Sequence, residues 1–529
     1  MKLRKIYTSA GILLLSLFCI GDAVAKDAKF ETGVSFGSTG ADEPYSSLTD
    51  KDGNYYISGM CRGDVEFADG ATIKGRGGMD AVIVKYDAEL NFLWARAVGG
   101  SKDDTFERIA VTSAGDIVAV GKISGDVTID GTDQTLSGTQ STDGCIVVYD
   151  KDGNYKSSAQ IKAAGASLCY SVAVDKSDNI FVTGSTVGAT DFGNEKTVTI
   201  EGSNSGTFLA CYNNSLVCQW AIAGSSPVQS YGWAVNFDKE ENILLTGRFG
   251  TTFTITGTDG EALTTAVGSE SSQDTYVAKL SHEGVGQWIT YVTNSNRIDT
   301  RSIDSDSQGN VYIWGHCQSA VTPEGQSPLG FNGNFDSFLI KYSSAGAYLD
   351  GMNLGGSGRD EAKSLFVDAD DNIYVAGNVN GDGSKGGTAV NMNPRGESKD
   401  YTFKGHDGYV AKYNGSTWEL MQLEKTVTPD NANQHEVAWC VTMSPDYNKV
   451  YVTGYFNNGA TVFDGASLTL PFVRDYDIYT VLYSYTLMVK TKTLEPGVAN
   501  EPYYSNIVVD NVEGCLLYTS PSPRDRSVS

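Results

Sequence analysis

A ten-residue phrase returns along most of this chain at near-constant spacing, and a chain written that way folds as an array of like units. It reads DKDGNYYISG at 50–59, DKSDNIFVTG at 175–184, DKEENILLTG at 238–247, DSQGNVYIWG at 306–315 and DADDNIYVAG at 368–377. Looser copies end at Gly121 and Gly454. The closing glycines are Gly59, Gly121, Gly184, Gly247, Gly315, Gly377 and Gly454. Most steps between them are roughly 63 residues, long for one coil of a stacked solenoid.

Alternation gives the content of each unit. A strand such as 171–174 (SVAV) is followed by an Asp/Gly/Asn turn and a second strand such as 180–183 (IFVT). A third strand comes after a variable stretch and is nearly always opened by an aspartate: Asp80, Asp143, Asp274, Asp336, Asp407 and Asp477. The fourth often carries tryptophan, at Trp94, Trp220, Trp288 and, more loosely, Trp418. Short runs of β-branched and aromatic residues bounded by Gly, Asn and Asp are strands joined as hairpins. Past the first two dozen residues nothing sustains a helical period, so the chain is all-β.

Four antiparallel strands repeated seven or more times predict a β-propeller, in which radial repetition leaves only short, protected sheet edges. The segment 31–37 (ETGVSFG) resembles the fourth-strand stretch 94–100 (WARAVGG), yet it precedes the first unit. Such an orphan strand is expected to complete the last blade and lock the ring. Seven blades fit if 477–485 is the last third strand, while 505–510 (SNIVVD) resembles the opening of another unit and leaves eight open.

This pattern of D-x-x-G-N-x-Y-x-x-G, then D-x-F-x-x-K-Y/L, then G-x-x-x-W resembles the bacterial seven-bladed β-propeller repeat family, SBBP, over about residues 39–510. Gly206 and Thr207 stand where the third-strand Asp belongs, Cys211 replaces the usual Lys, and a long insertion separates Gly377 from Asp407. The resemblance implies a fold and a secreted or surface setting. It implies no particular activity, since folds do not fix functions.

Three segments are expected. Lys2, Arg4 and Lys5 precede an apolar run, and Ala23-Val24-Ala25 offers a small-x-small cleavage site, which reads as a Sec signal peptide over 1–25. Cys19 has Ser16, not Leu, three places before it, which disfavours a lipoprotein signal. Residues 26–514 form the propeller, truncated at its C-terminal end. Residues 515–529 (CLLYTSPSPRDRSVS) match the translation of a transposase sequencing adapter and read as read-through.

The chain carries a net charge of −25. Both end segments are net positive, so the body is more acidic still and repels phosphate backbones; nucleic acid is not an expected partner. No apolar stretch of the body is long enough to span a membrane.

Seven cysteines remain in the body: Cys61, Cys145, Cys169, Cys211, Cys218, Cys317 and Cys440. An odd count leaves at least one unpaired. Cys211 and Cys218 flank Asn214-Ser215 symmetrically, and a two-residue hairpin would set them opposite one another for a disulfide, subject to tight Cβ geometry. Cys61 and Cys317 sit two places after repeat glycines and read as small apolar packing residues. No cofactor is expected. The turn 50–54 (DKDGN) has oxygen ligands suited to Ca²⁺, but its glycine is misplaced for an EF-hand, and hairpin turn chemistry accounts for the same residues.

The recurrence of the third-strand Asp argues for turn capping over catalysis, because a ring has one centre and no use for six equivalent bases. The four Trp positions read as blade-to-blade packing. Ligand-binding candidates are the Gly-rich connections ending in acid, with Asp42, Asp104, Asp360 and Arg359 placed at one rim of the ring. Turn capping is the competing reading of those acids. The histidines His282, His316, His406 and His435 show no metal spacing, and H-E-x-x-H, G-x-S-x-G and Walker signatures are missing. The sequence therefore predicts an exported, non-catalytic propeller that binds a glycan or protein ligand in binding or adhesion. The alternative is a carbohydrate-active enzyme on the same scaffold, whose two carboxylates a sequence this acidic would not reveal; a third is a structural spacer.

Overall fold

The computed structural model describes residues 28–485, apart from 68, 202–203, 267–272, 381–387, 399, 404, 428–434, 458–460, 464–465, 469 and 471–474, together with 488–489 and 509–510. The expected signal peptide and adapter segment lie outside the described residues, as do residues 505–508 of the possible eighth unit.

The unit Phe30–Tyr483 is a ring of four-stranded antiparallel sheets. The third blade shows the pattern. Its strands are Ser167–Val174, Ile180–Thr186, Gly206–Tyr212 and Cys218–Ser225, paired in that order. The innermost strands of the seven sheets are Glu43–Thr49, Thr105–Val111, Ser167–Val174, Ser230–Phe237, Ile298–Ser305, Glu361–Val367 and Glu436–Met443. Each packs on the next, and the last packs on the first. The seventh sheet runs Glu436–Met443, Lys449–Phe456, Asp477–Tyr485 and then Ala28–Phe36, so the orphan strand does complete the last blade. Ser47 Oγ meets Thr442 Oγ1 at 2.9 Å, and Tyr55 stacks on Tyr451 at 4.5 Å across the seam between the first and seventh blades. A separate unit, Met1–Lys29 with Ser484–Ser529, contains the short ladder of Met488–Val489 with Val509–Asp510.

The core lies between blades. One cluster joins Val118, Val120, Ile146 and Val148 of the second blade to Val172, Val182, Phe208 and Ala210 of the third. Another joins Phe181 and Leu209 to Leu245 and Tyr276 of the fourth. Consecutive strand residues are buried on alternate faces, which is why the second and third strands read as continuous apolar runs. The variable stretch between second and third strands also has a place. In several blades it pairs with the outer strand of the preceding blade, at Lys162↔Asp191, Gly224↔Ile255, Val292↔Pro323 and Thr426↔Phe463, covering an edge that would otherwise be open.

The repeated polar residues hold this frame. Asp50 Oδ1 accepts the amides of Asp52 and Asn54 at 2.9 Å each, and Oδ2 accepts Asn54 Nδ2 and the Tyr56 hydroxyl. Asp150, Asp175, Asp238, Asp306 and Asp368 make the same turn. The third-strand aspartates are buried caps: Asp80 accepts the Arg76 amide at 2.8 Å, Asp143 that of Thr139 at 2.7 Å, and Asp336 that of Asn332 at 2.6 Å. Trp94 and Trp288 donate their indole N–H to Lys151 and Ser344 carbonyls in the following blade, each at 3.1 Å.

The proposed Cys211–Cys218 disulfide is corrected. The connection is the five-residue turn 213–217, closed by Asn213 Oδ1 on the amides of Ser215 and Val217, and the register slips between Cys211 and Tyr212. Cys218 therefore faces Tyr212 while Cys211 faces Trp220. The two thiols lie on opposite faces of the blade, Cys218 in the core toward the second blade and Cys211 in the core toward the fourth. All seven cysteines of the body are buried and free.

Cys211 matters in another way. Lys279 and Lys341 on third strands reach the turn aspartates Asp238 and Asp306 at 2.6 and 3.1 Å. In the third blade, where Cys211 holds that place, His282 from the fourth blade supplies the contact, with Nε2 2.7 Å from Asp175 Oδ2. His282→Ala is expected to cost about 1–3 kcal/mol in denaturant unfolding by leaving a buried carboxylate short of a partner. Adding Cys211→Lys should recover part of that loss; an unchanged midpoint in the single variant would show the contact to be idle.

Gly99 tests the cap from the other side. A Cβ there would lie 1.7 Å from Asp80 Oδ1, and the same crowding recurs at Gly37 with Asp477 and at Gly355 with Asp336. Gly99→Ala is expected to destabilise by about 2–4 kcal/mol, and to cost much less in an Asp80→Ala background. Additive costs in the double-mutant cycle would refute this origin.

Candidate functional site

Every innermost strand carries a β-bulge. The register slips past Tyr45, Glu107, Tyr170, Trp233, Arg301, Lys363 and Trp439 in turn. A bulge leaves its extra residue out of the ladder and re-aims the side chain. Here all seven line one cavity of about 70 Å³, and because each blade contributes one, the cavity sits on the ring axis. Ser47, Arg108, Ser364 and Cys440 complete its wall.

The lining is ordered by contacts between neighbouring blades. Tyr45 meets Trp439 at 5.5 Å and Tyr170 meets Trp233 at 4.5 Å. The Arg301 guanidinium lies 5.2 Å from the Trp233 ring and the Lys363 ammonium 4.1 Å from Trp439, within range of cation–π attraction. Arg108 stands one place after its bulge, where other blades have Ser46, Ser171, Ala234, Ser302, Ser364 and Cys440, and reaches the Arg301 carbonyl at 3.4 Å.

Beside the cavity, two buried or part-buried carboxylates balance the cations. Asp299 lies 2.5 Å from Arg297, 3.3 Å from Arg248, 3.6 Å from His316 and 3.9 Å from Arg301. Burial alone would raise its pKa, but these neighbours outweigh it and hold the carboxyl well below the usual range. Glu361 opposes burial in the same way through Lys363 at 2.8 Å and Arg359 at 2.6 Å, and is likewise held low. Glu107, whose Oε1 accepts the Thr105 hydroxyl at 2.8 Å, is pushed up by burial. Burial lowers the Arg108 and Lys363 pKa values.

Residues 158–193, which span the third blade's inner hairpin, match the family model described as Beta-propeller repeat, SBBP. The chain carries an SBBP beta-propeller repeat. An uncharacterized WD repeat-containing protein of Acanthamoeba polyphaga mimivirus is 22% identical over 435 residues, which cover 67% of this chain and 31% of that protein. The chain thus spans about a third of the length of the curated relative it matches. Among solved structures, the periplasmic gluconolactonase of Pseudomonas aeruginosa is similar at TM-score 0.38 and 10% identity, covering 80% of this chain and 98% of its own. Sqt1 from Chaetomium thermophilum is similar at TM-score 0.37 and 9% identity, covering 87% and 100%.

In this propeller the rim acids are frame residues. Asp42 accepts the amides of Ser38 and Arg62 at 2.5 and 2.9 Å; Asp104 those of Gly100 and Ser124 at 2.9 and 2.7 Å; Asp360 those of Gly356 and Asn380 at 2.5 and 3.1 Å. All three are buried, so the capping alternative describes them. Arg359 remains exposed, held by Glu361 and stacked 4.4 Å from Phe335. Sequence reasoning missed the bulge ring, although one signal was present. Counted back from the closing glycines, fourteen places before Gly59, Gly121, Gly184, Gly247, Gly315 and Gly377, and fifteen before Gly454, the position holds aromatic, acidic and basic residues in different blades.

Burial raises Asp104 and Asp360 to about 7 from an ordinary 3.8, despite the amides they accept. The folded state then keeps protons that the unfolded chain releases, so their contribution is fullest below about pH 4 and is lost as pH rises to about 7. The thermal midpoint of the Asp104→Asn/Asp360→Asn pair should fall less between pH 5 and 7 than that of the parent. Equal slopes would overturn this assignment.

Proposed function

We propose that this chain is an exported, non-catalytic binding or adhesion module whose central channel captures a glycan or protein ligand, without a resident cofactor. The observation that carries the reading is the convergence of seven side chains of five types, each released from its ladder by a bulge, on one axial cavity. Repeated positions elsewhere serve the frame, whereas this one varies in charge and shape. Aromatic faces with a few placed charges are what a recognition pocket needs. The WD-repeat relative supports an interaction role by fold, and the N-terminal segment 1–25 supports export to the surface or medium.

The carbohydrate-active alternative is less well supported. Glu107 is the one carboxylate among the described residues that line the cavity, and most glycoside hydrolysis uses two. On a glycan array the intact protein should retain a ligand without releasing product, and Trp439→Ala should weaken retention. Product release would favour the enzyme, and retention indifferent to Trp439 and Tyr170 would move the site off the axis.

A further inference from the structure

The charge and hydrogen-bonding state of the channel narrow the ligand's chemistry. Three cations, Arg108, Arg301 and Lys363, line the cavity against the single carboxylate Glu107, in a chain whose net charge is −25. At the cavity's edge Asp299 pairs with Arg297 and Arg248 and Glu361 with Arg359, while Glu43 lies near Lys363 and Lys122 near Glu107. The decisive feature is unmet donors. Trp233 Nε1, Arg108 Nε and Arg301 Nε are buried without a protein acceptor. Indole and guanidinium groups donate only, so each can be satisfied only by an acceptor brought to it. A buried donor left unpaired is costly, and one charged acceptor offered to several donors relieves that cost best.

We propose that the channel is a receptor for a carboxylate, taken as a small free acid or as the acidic tip of a longer ligand such as a uronic saccharide. This rests on the channel being the binding site, and specifies what it binds. A cavity of about 70 Å³ has room for several waters or one such group, with the rest of a longer ligand outside. Trp233 and Trp439 position the Arg301 and Lys363 charges by stacking, and a planar guanidinium matches a carboxylate's two oxygens.

The test is calorimetric titration of the full chain with acetate, glucuronate and glucose. Saturable binding of glucuronate, weakened by salt and without a matching signal from glucose, is expected. Acetate separates the sources, since binding of it as well makes the bare carboxylate sufficient, and its failure makes the sugar part of the ligand. Arg108→Ser, which installs the residue four other blades carry at this place, and Trp233→Phe, which removes one N–H while keeping a ring, should each weaken binding roughly tenfold or more. Glucose binding as well as glucuronate would overturn the carboxylate inference and leave the channel reading standing. Glucuronate binding untouched by either variant would overturn both. No binding of acetate or glucuronate to folded protein would show that water alone meets these donors, and would overturn the inference.

Discussion

No blade of this protein has a core of its own. Each four-stranded sheet buries one face against the blade before it and the other against the blade after it, so the stability of any unit is a property of its two neighbours. That constraint explains the continuous apolar second and third strands and the buried polar caps at the strand ends. It also explains the contacts that pass between blades, such as His282 to Asp175 and the tryptophan indoles to the next turn. A sheet with both faces covered has no polar face, and its polar residues must either be fully bonded or lie at the axis or the outer edge.

The carboxylates divide along the same line. Those that recur at fixed repeat positions, the turn, third-strand and rim aspartates, have oxygens taken by backbone amides within a few residues or one strand away. Glu107 lines the axial cavity, and Asp299 and Glu361, which share one repeat position with Glu43, are paired with cations beside it. Carboxylates bonded to backbone amides serve the frame, and those paired with cations lie beside the channel.

That division decides how much could be read from the sequence. Strand order, the ring and its completion by the strand at Ala28–Phe36 were legible, because the turn and the alternation are local chemistry written many times over. Asp42, Asp104 and Asp360 looked like binding residues because glycine-rich acidic turns serve both purposes, and only burial separates the two. The Cys211–Cys218 pairing failed on a single register slip, which sends the two thiols to opposite faces. The channel was hidden for a related reason. Its residues belong to no motif, and a bulge inverts the side chain that simple alternation would assign.

The seam between the first and seventh blades has a kinetic consequence. A strand near the start of the chain must find its partner some 440 residues later, and contacts that distant in sequence are slow to form because the intervening loop must be closed first. Until the seventh sheet exists, the strand at Ala28–Phe36 has an unmet ladder edge and the first blade an uncovered face. Folding of the ring is therefore expected to finish with a single late event, in which the earliest-made segment is the last to settle.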